Sequence, residues 1–152
     1  MLNRRPISKN TSDHFFQEFL DDRAEVLLQA LVAGCAIIAY ADGWVTPEER
    51  KRMLGLLRRF EPLRAYAAAD VVHCFEEMTA RFAADHDDGE ERALALVTKV
   101  RGHRLHSEMI VRSCCAVASA DGAFDAEERA AASRITLALG LRPAEFDLVD
   151  AL

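Results

Sequence analysis

Two acidic phrases are the first place to look for chemistry in this chain. Ala41-Asp42-Gly43-Trp44-Val45-Thr46-Pro47-Glu48-Glu49 returns as Ala120-Asp121-Gly122-Ala123-Phe124-Asp125-Ala126-Glu127-Glu128. Each copy sets an Asp-Gly turn ahead of a pair of glutamates. Carboxylate oxygens are hard donors, and calcium, with about six to eight of them, or magnesium, with about six, is the cation they suit. The spacing also matches the second half of an EF-hand loop, D-x-[DN]-x-[DN]-G-x5-E. The first two ligand positions of that loop would be Ile38 and Tyr40 in one copy, Val117 and Ser119 in the other. Three of those four lack the usual ligating oxygen, so neither copy is an EF-hand. One half-loop offers an aspartate, a neighbouring glutamate, backbone carbonyls and water. An ion site would need the other copy, another segment or a partner.

The same residues also make an efficient helix joint. Glycine just past a helix end takes the left-handed turn that stops it. Thr46 caps the next helix, Pro47 suits its first position, and Glu49 completes a capping box. Asp125 and Glu128 repeat the arrangement. On the residues alone, this architectural reading comes first.

Other reactive side chains are less organised. Cys35, Cys74, Cys114 and Cys115 form no CxxC pair, which argues against a zinc ribbon or a thioredoxin-type site. Most sit in apolar surroundings and read as buried thiols. Chemistry on an oxyanion by Cys114 or Cys115 would need an accessible thiol of low pKa. His103 and His106 share one helix face as a metal pair without a third ligand, and read rather as solvent-facing histidines. Trp44 reads as folding onto the adjacent helix or anchoring a partner. There is no phosphate-binding glycine loop, no HExxH and no GxSxG. No enzyme is indicated.

The elements that position these groups read as helices throughout. The chain has 152 residues, 51% of them hydrophobic and 29% charged, and it lacks runs of strand-forming residues. Residues 1–11 read as a flexible N-terminal arm, and 12–152 as one domain with a single core. A first helix is expected over Asp13–Leu20, and a long one from Asp21 or Asp22 to Tyr40. The long one reads as a buried helix rather than a membrane span, because Glu25 and Gln29 interrupt it. Further helices follow Thr46, Ala68, Asp85–Glu91 (a polar connection with Asp87 or Asp88 as cap), Arg104 and Asp125. A last one starts at Pro143. The expectation is an all-α, single helical bundle of about seven or eight helices.

Beyond the phrases themselves, Cys35 lines up with Cys114 and Ala39 with Ala118. This points to a pseudo-two-fold internal repeat of αα-hairpins, each burying an apolar face the other exposes. The net charge of −6 opposes non-specific nucleic-acid binding. The basic stretch Arg50–Arg59 reads as a solvated helix face. The polar N-terminus has no apolar leader, and a cytoplasmic setting without direct membrane insertion is expected.

With its place between two helices, the doubled A-D-G-x-φ-x-x-E-E phrase (φ apolar) resembles the TerB-like tellurite-resistance family. The resemblance covers roughly Phe15 to Leu152. It implies a non-enzymatic stress-response module whose acidic residues bind a divalent metal, calcium or magnesium, and whose partners are other stress-response proteins. It places the metal ligands at Asp42, Glu49, Asp121 and Glu128, with Glu48 and Glu127 ranked behind them. The alternative is a metal-independent helical protein-interaction module in which the phrase is architectural. The sequence does not indicate an oligomeric state.

Overall fold

The computed structural model describes residues 23–43, 45–120 and 124–148. Among them there are six α-helices, two short 3-10 turns and no strand. The helix expected over Asp13–Leu20, and likewise Trp44, Asp121 and Gly122, lie outside the described residues.

Helix α1 covers residues 23–39 and is the centre of the bundle. Residues 30–38 are buried on every side rather than along one stripe, the pattern of a helix wrapped by others. Its apolarity therefore serves a core. No helix among the described residues is long and apolar enough to cross a membrane.

The remaining helices are α2 (Pro47–Arg59), α3 (Ala68–Ala84), α4 (His86–Thr98), α5 (Arg104–Ala118) and α6 (Ala126–Ala138). Helix α3 packs on α2 and α4, and α6 packs on α4 and α5. Val71, Phe75, Met78 and Phe82 recur at helical spacing on α3 and are all buried. Phe82 stacks on Tyr40, ring centroids 4.6 Å apart, where α1 ends. His86 then locks that end, its Nε2 lying 2.8 Å from the Tyr40 carbonyl and its ring edge-on to Phe82. Helix α2 buries least of the helices α2–α6, with only Leu57 fully buried.

The expected connection Asp85–Glu91 is absent. Helix α4 begins at His86, and Asp85, not Asp87 or Asp88, caps it, Oδ1 accepting from the Asp88 N–H at 3.1 Å. Gly89 makes this tight turn feasible. A methyl group there would lie 2.7 Å from Phe82 Cα, so the two backbones touch.

The helix expected from Pro143 is instead a 3-10 turn, Pro143–Phe146. It ends at Asp147, which has a left-handed φ of 57°.

Candidate functional site

The two repeated joints face one cleft. Its volume is about 410 Å³, and it opens between the ends of α1 and α5 and the exposed side of α2. Asp42 and Glu49 line it from the first joint, Asp125 and Glu128 from the second. Ile38 and Val117, at the positions where an EF-hand would carry oxygen ligands, line it as apolar residues. Glu48 and Glu127 are exposed and do not line it.

Local chemistry explains why the acids stand there. Gly43, with φ of 114°, adopts the left-handed conformation that a side chain would resist, and its N–H donates to the Tyr40 carbonyl at 3.0 Å. The chain can then turn directly into α2. The Glu49 N–H donates to Thr46 Oγ1 at 3.1 Å, and the Thr46 N–H donates to Glu49 Oε2 at 2.9 Å. This is the capping box expected from Thr46 and Glu49, with Pro47 at the first helical position. In the second joint the Glu128 N–H donates to Asp125 Oδ1 at 2.8 Å. Phe124 lies beneath the Arg129 guanidinium, 5.2 Å from ring centroid to charge centre.

These bonds define what is left for a ligand. One oxygen of Glu49 and one of Asp125 hold a helix start, so each retains its second oxygen for the cleft. Asp42, Glu49 and Asp125 are exposed and Glu128 is half-buried. Among the described residues no three carboxylates, imidazoles or thiols converge as a metal cluster. The donor set fits a hard cation in kind, being all oxygen, but it is an open arrangement and not a closed cage.

The α2 wall carries residues that sequence reasoning did not assign to the site. Arg52, Met53, Leu56 and Arg59 line the cleft beside Glu49. Their spacing from Glu49, at i+3, i+4, i+7 and i+10, follows one helix face and was available in the sequence as a signal. Arg50, Lys51, Arg52, Arg58 and Arg59 are all exposed, as expected of a solvated face, and Arg52 and Arg59 also border the cleft.

The other candidates are accounted for structurally. His103 caps α5, its Nδ1 accepting from the His106 N–H at 3.3 Å, and the two rings stack at 3.7 Å. Burial, then the neighbouring His103 and Arg23, lowers the His106 pKa. The pair is a cap and a stack, with Nδ1 of His103 already engaged.

Cys35, Cys74 and Cys114 are buried and Cys115 is half-buried. Burial, reinforced by Glu77 and Glu25, pushes Cys74 up to about 11. A hydrogen bond with Cys35, together with complete burial, raises Cys114 well above the ordinary thiol value. Burial also raises Cys115. None of these three is the low-pKa thiol that oxyanion chemistry needs.

The family model described as tellurite resistance protein TerB matches residues 28–151, and the chain belongs to that family. It is 28% identical over 85 residues to the tellurium resistance protein TerB of an Alcaligenes species, an alignment that covers 56% of this chain and 70% of that relative. No solved structure gives a significant match. Membership supports a role related to tellurite resistance.

Proposed function

We propose that this chain is a non-enzymatic, tellurite-resistance-related stress-response module that takes up a divalent cation, calcium or magnesium, in the cleft between its two joints. Asp42 and Glu49 would hold the ion from one side and Asp125 and Glu128 from the other. Asp121 is the remaining candidate, and water would complete the coordination. One observation carries the reading: carboxylates from both copies of the repeated phrase line the same cleft. Oxygen-only donors favour calcium or magnesium over zinc. Because no three ligands converge among the described residues, their carboxylates would have to approach one another on binding. That reorganisation favours modest affinity and makes the joints the part of the molecule that responds to the ion.

The repeat fits the same picture. Cys35 and Cys114, equivalent residues of the two hairpins, are both buried, and Cys35 is near enough to raise the Cys114 pKa. Equivalent residues meet where a local two-fold axis passes, which supports a pseudo-two-fold pairing of α1–α2 with α5–α6. A cytoplasmic setting, with other stress-response proteins as partners and without nucleic acid, completes the proposal. The net charge of −6 agrees with the last point.

The test uses substitutions that leave both caps intact. Asp42→Asn combined with Glu128→Gln should weaken calcium or magnesium binding by at least about tenfold, equivalent to about 1.4 kcal/mol. The melting temperature without metal should scarcely move. Affinity unchanged from the parent would contradict the site.

A second reading, a metal-independent helical interaction module, draws on the α2 wall. Arg52, Met53, Leu56 and Arg59 cannot serve calcium or magnesium, yet they give the cleft an apolar and basic side. A protein complex that survives chelation and is lost with Met53→Glu would favour it.

A further inference from the structure

Helix α2 differs from the later helices in how it keeps its cations. Every arginine of α4, α5 and α6 is engaged. Arg92, Arg104 and Arg134 pair with Asp88, Glu108 and Glu90, and Arg112 and Arg129 lie over the rings of Phe146 and Phe124. On α2, by contrast, Arg50, Lys51, Arg52, Arg58 and Arg59 have no ion-pair partner among the described residues. They make a basic face on a chain whose net charge is −6. The helix is also short of apolar cover. Met53 and Leu56 are only half-buried, and they line the cleft between Arg52 and Arg59.

That arrangement specifies what fits it. Arg52 and Arg59 stand two helical turns apart, about 10.5 Å along α2. An amphipathic helix laid against α2 repeats its own side chains at the same interval. Two acidic residues on it can reach both guanidiniums while the apolar residues between them meet Met53 and Leu56. Guanidinium forks suit carboxylates through paired N–H donors. A phosphate backbone or an anionic bilayer fits less well, because Asp42, Asp125 and Glu128 also line the cleft and repel a continuous run of negative charge. The same carboxylates set a condition on the partner. Among the described lining residues four carboxylates stand against two guanidiniums, so the metal-free cleft is net negative by two charges and resists an acidic side chain. One divalent cation cancels that excess.

We propose that the cleft is a cation-gated docking site for an acidic amphipathic helix of a partner protein, with Arg52 and Arg59 taking its carboxylates and Met53 and Leu56 its apolar side chains. The proposal rests on the cation reading above and adds to it the partner's chemistry and the ion's purpose. The ion at the joints removes the charge that keeps the partner away. Because the coupling is reciprocal, the bound partner tightens ion binding by the same factor.

The test selects a phage-displayed library of random peptides on the full folded chain, with calcium and magnesium present and a chelator as eluant. The recovered peptides should combine acidic and apolar residues at helical spacing. A fluorescent synthetic copy, followed by anisotropy, should bind at least about tenfold more weakly in chelator. Arg52→Gln combined with Arg59→Gln should also weaken the peptide by at least about tenfold. The same double variant should take up calcium, by calorimetry, as tightly as the parent or more so, since two repelling cations are gone. Opposite directions in one variant separate docking from loss of fold. Recovered peptides without acidic residues, an affinity that ignores the chelator, or equal binding by the double variant would overturn the proposal. Capture of phosphatidylserine vesicles through the same two arginines would assign the basic face to a membrane and overturn it as well. If an ion binds and no peptide is recovered, this inference fails and the cation site stands; if neither ion binds, the cation reading fails and this inference with it.

Discussion

At the scale of single residues, two glycines make opposite predictions. Gly89 touches the Phe82 backbone, whereas Gly55 of α2 has nothing within 4 Å of where a methyl group would stand. Gly55→Ala should stabilise the chain by roughly 0.5–1 kcal/mol, the helix-propensity gain. Gly89→Ala should destabilise it by about 1–3 kcal/mol, because backbone cannot move aside as a side chain can. Urea denaturation of both variants, read as midpoint shifts of opposite sign, checks the pair. Gly89 also shows why part of the sequence was misread. A glycine amid Asp and Glu has the composition of a linker. Its packing role depends on Phe82, seven positions earlier, across a turn whose tightness no periodicity reveals.

The thiols make a second residue-scale prediction. Cys74 keeps its proton in the folded state up to about pH 11, while the unfolded thiol loses it near its ordinary value of 9.0. The unfolded chain then binds fewer protons, so stability falls as pH rises from about 9 towards 11. Below that window the contribution is fully present. Denaturation midpoints of parent and Cys74→Ala should converge as pH climbs through it; a constant difference would be inconsistent with the buried thiol. Burial of Cys35, Cys74 and Cys114 also predicts that a thiol reagent at pH 8 modifies only Cys115 in the native chain.

At the scale of elements, the joints were the most legible part of the molecule. Thr46, Pro47 and Glu49 announce a helix start because each satisfies a local need: a free N–H, a fixed φ, a reciprocal bond. Such needs are met within four residues, so the sequence displays them without tertiary information. Thr46→Ala and Asp125→Ala should each lower stability by about 1 kcal/mol, measured by denaturation. They should have similar effects, since each removes one acceptor from one helix start.

The element ends governed by longer-range contacts were less readable. Asp87 and Asp88 are the caps the sequence suggests. Only the close approach of α3 and α4 at Phe82 and Gly89 selects Asp85. The segment after Pro143 has helical composition, yet Asp147 takes a left-handed turn and stops it after four residues.

At the scale of the whole molecule, the all-helical class was legible from composition and apolar spacing. The burial of α1 followed from its nearly unbroken apolar run. The site was only half legible. The acids stood out because their phrase occurs twice, but nothing in the chain states that two turns so distant in sequence open on one cleft. Nor does it state that Glu48 and Glu127 point elsewhere while Arg52 and Arg59 join the lining. Those facts arise from packing α2 and the α5–α6 joint around α1. On that geometry the joints serve as caps and, we propose, as the two sides of an ion site.

Calorimetric titration of calcium and magnesium into metal-stripped protein tests that proposal most directly. It predicts saturable binding of at least one of the two ions, reversed by a chelator and weakened when Asp42 and Glu128 are neutralised together. A folded, metal-stripped chain that takes up neither ion would contradict it and leave the repeated acids with helix capping alone.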